Sequence, residues 1–187
     1  MAGKLFGLKY DNLDRYLDSY AKYILRQARH ILKTREDTGN LSGSLDYSIY
    51  KKSKGYDIRF FSAAYGDYLD KGVSGNQVSR SYIGMDGNRK PSPYRYTNKM
   101  PPVDTLVTWI QSKGMQGRYK KEASGGKGGQ FMSHRSLGFA IAKSIQKKGL
   151  KGLSFFSQPI SYSFNKFQDE LEANFAKDLE AGMSIKI

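Results

Sequence analysis

The sequence predicts an α+β fold, with three or four helices packed on a small antiparallel sheet, and three observations carry that prediction. Apolar residues recur at three- and four-residue steps over 10–34, which is the helical period. From Leu45 the period falls to two, the period of a strand. Helical spacing then returns in 102–113, 136–148 and 158–181, with long irregular stretches between. At 187 residues, without an internal repeat, the chain is read as a single domain over 1–187 with a core of its own.

The first helix, 10–34, turns one face inward through Leu13, Tyr16, Leu17, Tyr20, Ile24, Leu25, Ala28, Ile31 and Leu32. Asp11 or Asn12 suits its N-cap, and Asp14 and Asp18 lie in its first turns. Arg26, Arg29, Lys33 and Arg35 follow at its end, where cations favour the negative pole of the helix dipole. Asp37, Thr38 and Gly39 form a structural corner. The two polar side chains bond local backbone, and the glycine takes φ > 0 without strain, so that the following hairpin turns back onto the helix.

That hairpin is expected over 45–61. Leu45, Tyr47 and Ile49 face one way, Asp46, Ser48 and Tyr50 the other, and Lys51–Gly55 supply turn chemistry before Tyr56–Phe60 returns. An extended basic loop, 73–100, follows without periodicity and is punctuated by Gly84, Gly87, Pro91 and Pro93. Structureless loops beyond about 12–15 residues are uncommon in compact domains, so this one is expected to serve a function. Pro101-Pro102 start helix 102–113, whose apolar side is Val103, Leu106, Val107, Trp109 and Ile110. A flexible glycine-rich loop spans 114–133. Helix 136–148 turns Leu137, Ala140, Ile141, Ser144 and Ile145 inward and ends in Lys147-Lys148-Gly149. Helix 158–181 carries Ile160, Phe164, Phe167, Leu171, Phe175 and Leu179, and the alternating tail Met183–Ile187 is expected to add a short strand.

Charge bounds the partner. Lys plus Arg number 31 against 17 Asp plus Glu, a formal +14, which favours nucleic acid, an anionic membrane or an acidic protein surface. Between Lys71 and Arg135 there are 12 basic and 3 acidic residues, so this third holds most of the excess. The absence of cysteine excludes disulfides, thiol nucleophiles and thiolate metal sites. No apolar run suits a signal peptide or a membrane span, and the expected setting is the cytoplasm, with later export inside a particle allowed.

No residue set points to catalysis, a cofactor or a metal. His30 lies mid-helix and His134 at the end of a basic loop. Asp67 and Asp70, with Asp46 or Asp57, are better read as turn-solvating or ion-pairing groups than as metal ligands. Asp-Thr-Gly also opens aspartic protease sites, but here it follows a helix and has no second copy. Gly125–Gly129 lacks the Gly-Lys-Ser/Thr ending of a phosphate loop. The candidate contact residues are instead basic: Arg80, Arg89, Lys90, Arg95 and Lys99, interleaved with Tyr82, Tyr94 and Tyr96; Arg118, Lys120 and Lys121 around Tyr119; and Lys143, Lys147, Lys148 and Lys151. Basic and aromatic residues on a loose segment are a footprint of nucleic-acid contact. Docking on an acidic neighbour is the favoured expectation, direct DNA contact the other.

The order of the segments adds a resemblance. A long helix leads to Asp37-Thr38-Gly39-Asn40-Leu41, then Ser44-Leu45, a hairpin, and Ala64-Tyr65-Gly66-Asp67-Tyr68-Leu69-Asp70-Lys71-Gly72. Pro101–Gly114 and Ala140–Phe156 follow the same plan. This order resembles the tail-completion, or head–tail joining, family of tailed bacteriophages over about Tyr10–Ala181. Two features differ: Lys71-Gly72-Val73-Ser74 replaces the glycine-threonine that follows the acidic residue in the family, and the basic insert before Pro101 is longer. The resemblance implies a non-enzymatic virion protein, assembled in the host cytoplasm as a homo-oligomeric ring in the neck or upper tail. Its partners would be the connector, tail terminator or tail tube, with packaged DNA nearby and no membrane. The alternative reading is a small basic nucleic-acid-binding accessory protein.

Overall fold

The computed structural model describes residues 9–33, 39–52, 55–120 and 128–183. In chain order the elements are α1 (Asp11–Lys33), α2 (Asn40–Ser44), β1 (Asp46–Lys52), β2 (Gly55–Phe61), α3 (Gly66–Lys71), β3 (Val73–Ser74), β4 (Ser81–Ile83), β5 (Arg89–Pro91), α4 (Val103–Ser112), α5 (His134–Lys148), β6 (Gly149–Leu150) and α6 (Ser157–Gly182). The fold is α+β, and among the described residues it has three two-stranded sheets, β1–β2, β3–β6 and β4–β5. The chain groups into two compact units, one of 1–70, 83–90 and 153–187, the other of 71–82 and 91–152.

In the first unit, α1 buries Leu13, Leu17, Ile24, Leu25, Ala28 and Leu32 of the face its periodicity predicts, and Ala21 as well. Tyr16 and Tyr20 lie half-buried against Phe167 of α6, and their hydroxyls reach the Phe167 carbonyl and Ser163. Burial of the Tyr16 phenol, aided by Glu170, pushes its pKa up to about 12. The β1–β2 hairpin pairs Asp46 with Phe61 through Lys52 with Gly55 in antiparallel register. Its polar rim is tied to α1: Tyr47 donates to Asp18, and Tyr56 and Lys51 donate to Asp14.

The N-terminus of α1 departs from expectation. The helix begins at Asp11, so neither Asp11 nor Asn12 caps it by itself. The Asp178 carboxylate of α6 accepts the amides of Asn12 and Leu13, at 3.0 and 2.8 Å, and the Asn12 side chain. Two free N–H groups at a helix start attract an anion wherever the chain can deliver one. Burial pushes the Asp178 carboxyl up, but these hydrogen bonds, with Arg15 nearby, outweigh it and hold the pKa below the usual value. Asp18 is held low as well, by Lys22 and Tyr47. A depressed carboxylate contributes stability above its unfolded pKa of about 3.9, and that stability is lost as pH falls through the folded value. The melting temperature is therefore expected to be flat above about pH 5 and to drop steeply below about pH 4. In Asp178→Asn the drop should shrink; an unchanged acid limb would disprove the role of this cap.

Two short helices, α2 and α3, were not expected from the sequence. At 5 and 6 residues they are too short to show a period. Asp37 and Thr38 lie outside the described residues; Gly39, with φ 73° and ψ 1°, adopts the left-handed conformation expected of the corner and precedes α2. Its carbonyl accepts the Gly43 amide at 2.9 Å. A Cβ there would meet nothing within 4 Å, so strain alone sets the cost of substitution. Gly39→Val is expected to destabilise by about 1–2 kcal/mol. Thermal unfolding checks this, and an unchanged melting temperature contradicts it.

Leu41 of α2 and Leu45 just after it enter one core cluster with Leu25, Ala28, Leu32 and Phe155. Phe155 is fully buried. The segment before α6 is fixed by α3: the Leu153 amide donates to the Leu69 carbonyl, and the Ser154 amide to that of Asp70. The buried Asp70 carboxylate accepts the Phe156 amide at 2.9 Å and the Ser157 hydroxyl at 3.1 Å, which caps α6. Helix α6 runs 157–182, close to the expected 158–181; Ser184–Ile187 of the tail lie outside the described residues.

The second unit is built on α4, α5 and the β3–β6 pair. Helix α4 packs Val103 and Val107 against Gly138 of α5. Ile110 and Ala142 are fully buried. The stretch 73–100, expected as an extended loop, is held by main-chain hydrogen bonds. Within this unit Val73 pairs with Leu150 and Ser74 with Gly149, while Ser74 also bridges Arg95 in parallel. The Asn76 and Gln77 amides donate to the Gln146 and Lys147 carbonyls, closing the end of α5. Glycines allow this contact, because a Cβ on Gly75 would stand 2.0 Å from the Lys147 oxygen. Loop 114–133 is closed at its base by the Arg118–Phe131 bridge and by Met132 donating to Gly117; 121–127 lie outside the described residues.

Candidate functional site

Folding sorts the charge more sharply than the sequence does. Residues 71–82 and 91–152 hold 14 Lys plus Arg against 2 Asp plus Glu, a net +12 out of the +14. The first unit, with 17 against 15, is nearly neutral. Seven of the sequence-selected cations converge where α5 ends. Arg80 donates from Nε to the Lys148 carbonyl at 2.8 Å, and Arg95 from Nε to the Gly75 carbonyl at 3.3 Å. Gln146 donates to the Thr97 and Asn98 carbonyls, at 3.2 and 2.8 Å, and so holds Lys99 beside the last turn. Lys143, Lys147 and Lys148 lie exposed on α5, and Lys151 lies exposed just after β6.

Lysines in a last turn complement the helix dipole, but here the last carbonyls already have donors. The positive potential is therefore left facing outward. The acidic residues of this unit are Asp104 and Glu122. Asp104 stands 3.5 Å from Arg135 in the first turn of α5, and Lys143 lies ~12 Å further along the axis. Among the described residues no ion pair engages Lys99, Lys143, Lys147, Lys148 or Lys151.

Other selected residues lie elsewhere. Arg89 and Lys90 belong to the first unit, and Lys90 pairs with Asp86 at 2.9 Å. Hydrogen bonds from Lys90 and Asn88 hold the Asp86 carboxyl below its usual range. Arg118 stacks over Phe131, 3.8 Å from the ring centre, and bonds the Gly129 carbonyl. Lys120 is exposed and Lys121 lies outside the described residues.

The interleaved tyrosines are corrected by the structure. Tyr82, Tyr94, Tyr96 and Tyr119 are half-buried, and burial raises the Tyr96 pKa, so they are packing groups more than stacking platforms. The exposed aromatics of this unit are Trp109, Phe131 and Phe139. Phe139 was missed in the sequence, as was Arg135. The signal was present: Arg135, Phe139, Lys143 and Lys147 recur every four residues and share the exposed face of α5. The Lys143 ammonium lies 5.9 Å from the Phe139 ring centre.

The carboxylates weighed as ligands are engaged: Asp57 pairs with Lys52 and Arg59, and Asp70 caps α6. Among the described residues no group of three or more His, Asp or Glu is arranged to hold a metal ion. His30 and His134 are exposed. No described helix is long and apolar enough to cross a membrane. No family model, curated protein or solved structure matches this chain.

Proposed function

We propose that this chain is a structural virion protein of a tailed phage, forming a ring or collar in the neck or upper tail that joins head to tail. The observation that supports it is the meeting of several of the resembling segments in one place. Leu41 and Leu45 of the first two segments share a core with Phe155 of the last. Leu69 and Asp70 of the middle segment hold Leu153 to Ser157 by four hydrogen bonds. Segments more than a hundred residues apart thus form one joint, which gives that part of the resemblance a physical reason: Leu41, Leu45, Leu69, Asp70 and Phe155 of the matching stretches are parts of it.

A subunit of a ring presents two different surfaces that fit each other head to tail. The first unit leaves Tyr162, Phe164 and Phe175 of α6 exposed, and Phe175 lines an apolar groove with Leu13, Leu17, Ile58, Phe167 and Leu171. Apolar surface of this kind is what an assembly covers. The connector, tail terminator or tail tube would be its neighbours above and below.

The test is genetic and structural. In the phage that encodes this chain, a nonsense mutation in its gene is expected to leave filled heads and finished tails unjoined. Native mass spectrometry of the chain released from particles is expected to give a closed homo-oligomer. Joined, infectious particles made without the chain would overturn the reading.

A further inference from the structure

We infer that the lysine cluster at the end of α5 is a sequence-independent binding surface for the phosphate backbone of nucleic acid. The inference stands on the second unit alone and holds wherever the protein resides. Three features carry it. The cations come from separate stretches, 80, 95–99, 143–148 and 151, and among the described residues the fold gathers them with no carboxylate of this unit beside them. Their exposed row on α5 advances about 6 Å for every four residues, so several phosphates of one backbone can be met at once. The third feature is composition.

That composition separates nucleic acid from an acidic protein. The cluster is lysine-rich, and its two arginines are committed to backbone carbonyls through Nε. Protein interfaces are enriched in arginine and depleted of lysine, because a guanidinium meets a carboxylate with two parallel bonds. Lysine is a mobile point charge that matches a phosphate from many directions and reads no sequence. Phe139, exposed in the same row and flanked by Arg135 and Lys143, offers a face on which an unpaired base stacks.

The experiment uses the full-length protein and fluorescence anisotropy with a labelled 30-base-pair duplex and a labelled 30-nucleotide single strand, both of mixed sequence. With about four phosphates neutralised, duplex affinity is expected to fall ~10²-fold between 50 and 200 mM salt. The variant Lys143→Glu, Lys147→Glu, Lys148→Glu, Lys151→Glu should lose at least a hundredfold in affinity at 50 mM salt. A control of equal charge, Arg26→Glu, Lys33→Glu, Lys166→Glu, Lys177→Glu in the first unit, should lose less than tenfold. Circular dichroism and melting confirm that both variants fold, and Lys→Gln at the same positions replaces any that does not. Phe139→Ala should weaken the single strand several-fold more than the duplex. Equal losses in the two charge variants, or no binding at 50 mM salt, would overturn the site. Competition by poly-glutamate as effective, charge for charge, as unlabelled duplex would overturn nucleic acid in favour of an acidic protein.

Discussion

Gly149→Ala is expected to destabilise the second unit by about 3–5 kcal/mol, the sum of a strained backbone and a steric clash. Gly149 has φ 70° and ψ −173°, a region that essentially only glycine occupies. A Cβ on this backbone would stand 2.1 Å from the Val73 oxygen and 2.5 Å from the Gly75 nitrogen. Both are main-chain atoms of β3 and the turn after it, so relief requires the β3–β6 pair to part. The Asn76 and Gln77 amides would then lose the carbonyls at the end of α5. Gly114→Ala is the matched control, since Gly114 has φ 58° but open space around its Cβ, and it should cost only about 1 kcal/mol. Thermal unfolding measures the difference, and hydrogen exchange should show the Asn76 and Gln77 amides losing protection. Equal effects of the two substitutions would mean that the close approach is relieved without cost.

Asp70→Ala is expected to cost about 2–4 kcal/mol, because a buried acceptor is removed and its donors stay behind. Asp70 is 6% exposed, and its carboxylate receives the Phe156 amide and the Ser157 hydroxyl at the start of α6. Unsatisfied buried donors cost about 1–3 kcal/mol each, and the anion also complements the positive end of the helix. Asp70→Asn keeps one acceptor oxygen and should recover roughly half of the loss. Differential scanning calorimetry of the three proteins orders them wild type, Asn, Ala. A stability of Asp70→Ala within 0.5 kcal/mol of wild type, the range of ordinary surface changes, would refute the cap.

What the sequence discloses depends on whether the determining contact is local. The main face of α1 and the extents of the β1–β2 hairpin, α4, α5 and α6 follow from periods of two and 3.6 and from punctuating proline and glycine, and the extents lie within about two residues of expectation. The pairing of Val73 with Leu150 joins chain far apart in sequence through two-residue strands, which no period can record. The cap of α1 by Asp178 escapes for the same reason: its donors and acceptor lie 165 and 166 positions apart. Of the candidate site, residue type and exposure were legible, but grouping was not. A contiguous window placed Arg89 and Lys90 with Arg95 and Lys99, whereas the fold puts 83–90 in the first unit. It also set apart the stretch before Lys99 and the end of α5, which Gln146 joins through its bonds to Thr97 and Asn98.

The joint between α1 and the segment before α6 also sets a clock. Leu25, Ala28 and Leu32 leave the ribosome early, yet Phe155, which fills the space against them, is made roughly 120 residues later. At ~5–20 residues per second that interval lasts about 6–24 s. For those seconds the apolar face of α1 has the β1–β2 hairpin, α2 and α3 to cover it but not Phe155 or α6, and the nascent chain is at its most vulnerable to capture by chaperones or by other nascent chains. Slowing translation after residue 70 lengthens that exposure, whereas release of the finished chain ends it by letting α6 dock.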